Sequence, residues 1–455
     1  MRYLPLTKDE ENKILKACGE ASFESLTREI PENLRVKGKL NLPEALCETD
    51  LLQHIQDLGE KNSAAKMHCL IGQGAYDHTW PSVVDYLVTR GEFLTAYTPY
   101  QPEVSQGTLQ AIFEFQSMIS GLMGMEVSNA SLYDGSTALV EAILMAARLQ
   151  NKNSGEILIS EGTFDHTKKI LRTYLESLGF ELVNWKASAE GLCETKTPEL
   201  KNPVAVVAQS PNKWGLIEDW STVSSVAQKM NVKSIAHISH AHSLALFEAP
   251  GKKGIDLASG EGQAFGIPAG FGGPYLGLFA CSKKDVRQMP GRIVGQTNDA
   301  RGRRAYCVTL STREQHIRRE KATSNICSNQ SLMALRATIY LSLMGPEGLK
   351  EVAQNSRNAA EASKKIIQKH IQNNKGFKFL NGTIFNEFSL LYTQDNEGKI
   401  NKLQELAQKH NILLGTKVSA PQESGFKGAL TLAFTERFKK TEAGKLEKIF
   451  GEVLV

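Results

Sequence analysis

One segment of the sequence has the residues of an anion-binding turn. It reads YDGSTA from Tyr133 to Ala138, and an apolar stretch that predicts a helix through Ala147 follows it. The first N–H groups of a helix have no partner within the helix, so a short turn of small residues leaves room for an anion, of which phosphate is the obvious one. Simple capping of the helix is the alternative, and such caps are common. Four residues form the turn: Asp134, Gly135, Ser136 and Thr137.

A second segment, from Gly260 to Gly277, contains seven glycines and leads into an apolar run. So many glycines indicate turns with positive φ and close approach of neighbouring backbones. The pattern is not the GxGxxG that follows a strand in dinucleotide-binding folds. It predicts a loop that either lines a cleft or serves packing alone. Since no lysine occurs between Lys253 and Lys283, the segment carries no amine.

Two further segments are candidates for contact with a substrate or a partner. Tyr97 to Glu103 (YTPYQPE) predicts either the wall of a polar cleft or a connector stiffened by its prolines. The run from Lys283 to Lys321 holds eleven basic and four acidic residues, a local charge of +7. Such a run could bind an acidic partner or RNA, although it lacks the interleaved aromatics of single-strand binders; a solvated face or an intersubunit salt-bridge cluster is the alternative.

The cysteines and histidines predict no metal site. Seven cysteines are widely spaced without a CxxC, which favours reduced thiols, and the ten histidines include no HExxH. His237, His240 and His242 lie close together in sequence. On a strand, however, side chains alternate between faces, so His237 should point away from the other two.

Alternating strands and helices must position these segments. A crossover helix is predicted at Thr222–Met230, between two buried strands. This alternation favours an α/β fold with a large, mainly parallel sheet and helices on both faces. The predicted buried strands are Ile157–Ile159, Val204–Ala208, Ile235–Ile238 and Leu276–Ala280.

The length of 455 residues predicts two or three domains. Residues 1–60 are expected to form a polar helical arm, and residues 61–330 the large α/β domain. Residues 331–455 predict a smaller α+β domain, with long helices at 330–343 and 350–373 before strands at 385–392 and 428–434.

The bulk composition excludes several classes of protein. Hydrophobic residues make up 41% and charged residues 22%, and the net charge is +4, which gives no strong attraction to nucleic acid or membrane. No apolar run approaches the roughly 20 residues of a membrane span. Because the first residues resemble neither a secretory signal nor a transit peptide, we expect a cytoplasmic protein.

Four of these segments together resemble one family, the P-protein of the glycine cleavage system. The similarity extends from about residue 60 to 455, and the length is similar to the N-terminal half of the fused enzyme, which many bacteria encode separately as an alpha subunit, or subunit 1. The matching runs are Tyr97 to Phe115 (YTPYQPEVSQGTLQAIFEF), Asn129 to Ala138 (NASLYDGSTA), Gly260 to Pro274 (GEGQAFGIPAGFGGP) and Arg313 to Gln330 (REQHIRREKATSNICSNQ).

The resemblance implies the fold type I of pyridoxal-phosphate (PLP) transferases, and a reaction in which glycine loses CO2 on PLP and its aminomethyl group passes to the lipoyl arm of the H-protein. In the catalytic half of the family a lysine precedes a GGGGP-like turn. Aligning that turn with Gly270–Pro274 puts Gln263 at the lysine position, and an amide cannot form an imine. The acid that would face the pyridine nitrogen is also missing, and His240 is nearest its place.

The resemblance therefore predicts a chain that holds no PLP covalently and supports a homologous, PLP-bearing beta subunit, in a heterotetramer of two alpha and two beta subunits. The Asp134–Thr137 turn would be a vestigial phosphate site. Tyr97, Thr98, Tyr100 and Gln101 are the candidates for the cleft wall at the interface. The candidates for holding the partner or the H-protein are Arg292, Arg303, Arg313, Arg318 and Arg319.

Two alternatives of other classes stay open at this point. One is an independent PLP enzyme, such as a decarboxylase or a desulfurase-like protein, which would need its imine from an exposed lysine of the pairs Lys252–Lys253 or Lys283–Lys284. The other is a basic module on an inactive enzyme fold that binds protein or RNA. Salt-sensitive binding of oligonucleotides would favour the latter.

Overall fold

The computed structural model describes residues 6–38, 40–372 and 374–454. The ends of the predicted arm, of the predicted helix 350–373 and of the predicted last domain therefore lie in part outside the described residues. The chain divides into two compact units, Met1–Ala65 and Lys66–Val455. The boundaries predicted at 60/61 and 330/331 stay predictions.

The first unit is helical. Thr7 caps its first helix, accepting a hydrogen bond from the N–H of Glu10, whose carboxylate in turn accepts from the N–H of Thr7. This reciprocal cap satisfies two N–H groups that a helix start leaves open. The helices are α1 Lys8–Ala17, α2 Phe23–Leu26 and α3 Glu48–Glu60.

The second unit is built around a seven-stranded sheet. Its strand order is β2-β8-β7-β6-β5-β3-β4, and the neighbours from β7 to β4 are parallel, whereas β8 is antiparallel to both β7 and β2. The predicted α/β class with a mainly parallel sheet is confirmed. The strands of the unit up to β8 are β1 His68–Cys69, β2 Val127–Ser128, β3 Gly155–Ser160, β4 Phe180–Trp185, β5 Pro203–Ser210, β6 Lys233–Ile238, β7 Leu257–Glu261 and β8 Gly277–Cys281.

Both faces of this sheet are buried, which is why its strands are continuous apolar runs. Alternate residues of each strand pack into different cores. One core contains Leu158, Val206, Ala236, Ile238, Ala258 and Leu278, and the other contains Ile157, Ile159, Ala205, Val207, Ile235 and Leu257. Each fully buried Val, Leu or Ile side chain among them contributes about 1.5–3 kcal/mol.

Helices cover the two faces of the sheet. The predicted helix start at Asp134 and the predicted crossover helix after β5 are both confirmed. The long helix near residue 331 is a single element, but Gly345 breaks its geometry with φ 59° just before Pro346, which explains why the sequence predicted two helices. The helices of this unit are α4 Ser82–Val88, α5 Gly91–Leu94, α6 Gln106–Met123, α7 Gly135–Leu149, α8 Asp165–Leu175, α9 Trp220–Lys229, α10 Gln315–Arg318, α11 Ser331–Ile371, α12 Glu397–Lys409 and α13 Lys440–Leu454.

Smaller sheets complete the unit. An antiparallel four-stranded sheet has the order β11-β12-β15-β14 and packs with the last helices in a separate core, as the predicted strands near 385–392 and 428–434 required. A hairpin pairs β9 with β10, and β1 pairs with β13. The strands are β9 Ile293–Asn298, β10 Arg304–Thr309, β11 Phe377–Phe379, β12 Glu387–Tyr392, β13 Ile412–Leu413, β14 Thr416–Ser419 and β15 Gly428–Ala433.

Among the described residues, none of the helices combines the length and the apolar character that crossing a bilayer requires.

A buried carboxyl group in the four-stranded sheet makes stability depend on pH. Burial raises the pKa of Glu387 from 4.5 to about 7, although the N–H of Gln73 donates to its Oε1 at 2.8 Å. Between those two pKa values the folded chain keeps a proton that the unfolded chain loses, so the free energy of unfolding should fall as pH rises through this window. We expect Glu387→Gln to remove that fall, which amounts to about 3 kcal/mol. Urea titrations at the two ends of the window measure it.

The control for this prediction is Glu405→Gln, which changes an exposed glutamate on α12. In this variant the free energy of unfolding should depend on pH as it does in the parent protein. The prediction would be contradicted if Glu387→Gln also showed the pH dependence of the parent.

Candidate functional site

A cavity of about 260 Å³ lies at the carboxyl ends of the parallel strands. This edge is where open α/β sheets bind ligands, because the chain leaves each strand there and the helix starts face the same space. Its walls come from the start of α7, the loop after β3, the ends of β6 and β7 and the glycine-rich loop. The residues that carry polar groups into it include Asp134, Ser136, His166, His237, Ser239, Glu261 and Tyr275.

The chain itself occupies most of the N–H groups at the anion turn. The Thr137 N–H donates to the carboxylate of Asp134 at 2.8 Å, and the Asp134 N–H donates to the Thr137 hydroxyl at 3.2 Å. The Gly135 N–H donates to Glu261 at 2.8 Å. The predicted turn therefore lies in the cavity, with its capping role fulfilled and three of its four N–H groups already bonded.

Glu261 at the end of β7 is the residue that fills the turn, and it was not among the predicted site residues. Its carboxyl group accepts from the N–H groups of Gly135, Gln263 (2.9 Å) and Leu276 (3.1 Å). Burial raises its pKa to about 8, and these three donors oppose the rise. In either protonation state its oxygens take the place where a phosphate would bind the helix start.

Gln263 is a buried brace between two loops, and it is not one of the residues lining the cavity. Its Nε2 donates to the carbonyl oxygens of Tyr76 (3.0 Å) and Ile267 (2.6 Å), and its Oε1 accepts from the Tyr76 N–H at 3.0 Å. The side-chain amide thus uses both its donor and its acceptor on the backbone. The residue that the family resemblance aligned with a lysine is thus an amide whose polar atoms bond to the backbone.

The residues of the cavity do not fit covalently bound PLP. Among the described residues that line it there is no lysine. Of the lysines named above as alternatives, Lys252, Lys283 and Lys284 are exposed, and Lys253 pairs with Glu248 at 2.9 Å. The carboxyl group of Glu261, which holds the N–H of Gly135, also leaves less room for a phosphate group at the start of α7.

His237 and His240 have different environments, as predicted, although His240 follows β6 instead of lying on it. His237 lines the cavity and its Nδ1 lies 3.1 Å from the hydroxyl of Ser259; burial lowers its pKa to about 3. His240 lies outside the cavity lining and stacks at 4.0 Å between ring centroids on Tyr76. His240 therefore does not occupy the place expected for a group that faces a pyridine ring in this cavity.

The predicted cleft-wall segment lies at the surface and is tied to one arginine. Tyr97 is 86% exposed and Tyr100 57%, and Gln101 is also exposed. The guanidinium of Arg292 lies 3.4 Å from the Tyr100 hydroxyl, 5.4 Å from the centre of the same ring and 3.5 Å from the hydroxyl of Thr98. The rings of Tyr97 and Tyr100 are thus exposed on a segment that Arg292 holds in place.

The five arginines expected to face a partner separate into two groups. Arg292 and Arg313 are buried in this chain, which contradicts that expectation for them. Arg292 pairs with Glu314 at 3.3 Å, and Arg313 donates to the carbonyl oxygens of Met289, Gly291 and Leu310. Both guanidinium groups therefore hold loops of this chain in place. Arg303, Arg318 and Arg319 are exposed, and Arg303 pairs with Asp299.

The sheet order, the helix that starts at the anion turn and the cavity at the strand ends define the fold type I of PLP-dependent enzymes. Solved structures with this fold and little sequence identity align over most of the chain. Burkholderia pseudomallei sphingosine-1-phosphate lyase aligns with TM-score 0.65 and 13% identity over 93% of this chain and 94% of that one. Lactobacillus brevis glutamate decarboxylase aligns with TM-score 0.68 and 11% identity over 93% and 96%.

Within that fold, the chain belongs to the glycine cleavage system P-protein family, whose sequence pattern it matches over residues 1–450. A solved glycine decarboxylase (P-protein) of the glycine cleavage system, in inhibitor-bound form, has TM-score 0.87 and 39% identity over 100% of both chains. A Brevibacillus brevis protein named probable glycine dehydrogenase (decarboxylating) subunit 1 is 42% identical over 98% of this chain and 99% of its own. The relative of the same name from Moorella thermoacetica is 46% identical over 86% of each.

Proposed function

We propose that this chain is the supporting alpha subunit of a cytoplasmic glycine decarboxylase. In this proposal it pairs with a homologous beta subunit that carries PLP, in a heterotetramer of two alpha and two beta subunits. The beta subunit removes CO2 from glycine, and the aminomethyl group passes to the lipoyl group of the H-protein. The relatives named subunit 1, which match along nearly the whole chain, support a companion subunit.

One observation carries the proposal: the amide of Gln263, which the family resemblance aligns with the catalytic lysine, is bonded to the backbone. An amide nitrogen is not nucleophilic enough to form an imine. Glu261 supports the same conclusion, since it holds the N–H of Gly135 at the phosphate turn. We therefore assign to this chain the shaping of the partner's site rather than chemistry of its own.

The exposed segment Tyr97–Gln101 is the proposed wall of that shared site. Tyrosine is enriched at interfaces because its ring buries much area and its hydroxyl keeps a polar partner. Arg292 fixes Thr98 and Tyr100 from inside, so little conformational freedom would be lost on assembly. Arg303, Arg318 and Arg319, which are exposed, remain the proposed contacts to the partner or to the H-protein.

Expression of the chain alone and together with its companion subunit tests the proposal. Alone, the chain should bind no PLP that borohydride can fix, and it should release no CO2 from glycine. Together, the two should co-purify and bind one PLP for each pair of subunits. A yellow, active chain in isolation would replace the proposal with the independent PLP enzyme.

The double substitution Tyr97→Ala with Tyr100→Ala tests the proposed wall. We expect the two chains to associate at least about 30-fold more weakly, because two exposed aromatic anchors are removed, each expected to contribute about 1–2 kcal/mol. Analytical ultracentrifugation of the reconstituted complex measures the affinity, and glycine-dependent CO2 release measures the activity.

Tyr174→Ala is the matched control, because Tyr174 is a partly exposed tyrosine on α8, outside the segment. It should associate and react as the parent does. If the double variant also did so, Tyr97 and Tyr100 would have no place in the interface.

A further inference from the structure

Three buried imidazole rings meet in the interior beside the cavity. His78 precedes α4, and His240 and His242 follow β6. They are 3%, 1% and 0% exposed, and one ring nitrogen of each lies within 4.8 Å of those of the other two. The Nε2 atoms of His78 and His240 are 3.0 Å apart. The sequence placed His237 beside His240 and His242, but the structure brings His78 to them instead, from more than 150 residues away.

A carboxylate next to Nδ1 of His78 determines which ring nitrogen carries the lone pair. Its Nδ1 lies 2.7 Å from Oε2 of Glu436, and Oε1 of the same group accepts from the N–H of Thr79 at 2.6 Å. A carboxylate there draws the proton of the imidazole to Nδ1. The Nε2 lone pair of His78 then faces His240. A carboxylate behind a histidine is the arrangement that orients metal-binding imidazoles.

His242 has a similar second partner. The hydroxyl of Tyr340 lies 3.2 Å from its Nε2, whereas its Nδ1 has no hydrogen-bond partner among the described residues. Buried polar atoms nearly always have a partner, so an open ring nitrogen in a polar cluster indicates an ion or a water molecule between the groups.

Packing of aromatic rings alone accounts for only part of this geometry. His240 does make an edge contact to Phe385, with ring centroids 5.0 Å apart, and His242 lies near Phe265. Ring packing, however, accounts for neither the nitrogen-to-nitrogen distance of 3.0 Å nor the carboxylate on the outer nitrogen of His78. That distance fits either one N–H···N hydrogen bond between the two rings or two nitrogens that face a common cation. A single hydrogen bond leaves Nδ1 of both His240 and His242 without a partner among the described residues.

We propose that His78, His240 and His242 bind one divalent transition-metal ion, zinc foremost. Three neutral imidazoles and an open fourth position form a donor set that suits Zn²⁺ and also accepts Co²⁺, Ni²⁺ or Cu²⁺, whereas Mg²⁺ and Ca²⁺ require oxygen ligands. Zn–N bonds of about 2.0–2.1 Å put ligand nitrogens roughly 3.3 Å apart in a tetrahedral site. The pair at 3.0 Å is already near that spacing, and a shift of roughly 1.5 Å in the third ring suffices to close the site.

The ion would join three segments that are distant in sequence. It would bind the residues before α4 and after β6 directly, and the Glu436 loop through the carboxylate on His78. These segments surround Tyr76, whose backbone Gln263 braces. The ion would therefore stabilise the wall behind the cavity, and this inference does not depend on the chain's partner.

Metal titration of the purified full chain tests the site. After removal of metal with a chelator, Zn²⁺ should bind with one equivalent per chain, measured by equilibrium dialysis and elemental analysis, and should raise the melting temperature. Co²⁺ in its place should give visible d–d absorption, and X-ray absorption should find three imidazole nitrogens. No bound equivalent, or a site of oxygen ligands, would overturn the proposal and leave a water molecule as the occupant.

Variants locate the binding. His240→Leu and His242→Leu should each weaken Zn²⁺ binding at least about 100-fold and abolish the thermal shift, since each removes a ligand. Glu436→Gln should weaken it about 10- to 100-fold. His237→Asn is the matched control, because it removes a buried imidazole outside the cluster, and it should bind as the parent does. Undiminished binding by His242→Leu would overturn the proposal; if that variant does not fold, the X-ray absorption result on the parent decides.

Discussion

Gln263→Leu is expected to lower the free energy of unfolding by about 4 kcal/mol. The substitution keeps the volume approximately but leaves three backbone groups in the interior without their partners: the N–H and carbonyl of Tyr76 and the carbonyl of Ile267. Each buried polar group that loses its partner costs about 1–3 kcal/mol. Chemical denaturation of the full chain, followed by tryptophan fluorescence, measures the difference.

Gln408→Leu on α12 is the control for this prediction, because the glutamine there is exposed. It should change stability by no more than about 0.5 kcal/mol. A loss for Gln263→Leu as small as that would contradict its role as a brace. The amide of Gln263 would then contribute little to the stability of the fold.

The sequence predicts the scaffold well because its signals are local. Apolar runs gave the buried strands β3, β5 and β6, since a sheet covered on both faces needs no polar alternation. Asp134 followed by Gly135 gave the start of α7, because the capping interaction spans only three residues. Gly345 and Pro346 interrupt α11 between the two predicted helices, and this break also depends on adjacent residues. Each of these features is decided by neighbours along the chain.

The site could be predicted only in part because its contacts span the chain. Tyr76 and Gln263 are 187 residues apart, and His78 and His240 are 162 apart. Hydrophobic periodicity reports on local structure and cannot reveal contacts between residues so far apart in the sequence. The family resemblance singled out Gln263, but it did not indicate that the side-chain amide would bond to the backbone. Nor did it indicate that Glu261 would bond to the Asp134–Thr137 turn.

Charge was the least informative signal. The basic run was read as a surface, and Arg303, Arg318 and Arg319 do lie there. Arg292 and Arg313 lie inside, because a guanidinium can bond several carbonyl and hydroxyl oxygens at once and so bind loops that have no regular structure. A count of charges cannot separate these two uses of arginine; only the positions of the loops around them can.

Arg292→Met tests whether the buried arginine holds loops of this chain in place. We expect it to lower the free energy of unfolding by about 4 kcal/mol. Arg292 is 5% exposed and pairs with the buried carboxylate of Glu314, and breaking a buried ion pair on one side costs about 3–5 kcal/mol. The same guanidinium contacts Thr98 and Tyr100. Their segment should therefore become more accessible, and hydrogen exchange measured by mass spectrometry should show faster exchange over residues 97–101 in the variant.

Arg303→Met is the matched control, since it breaks the pair of Arg303 with Asp299 at the surface. Exposed ion pairs contribute about 0–1 kcal/mol, so its stability and its exchange over residues 97–101 should stay close to those of the parent. If the two variants lost the same stability, Arg292 would act as a surface charge despite its burial. If Arg292→Met alone loosened the segment, one arginine of the basic run would serve to hold Thr98 and Tyr100 in place.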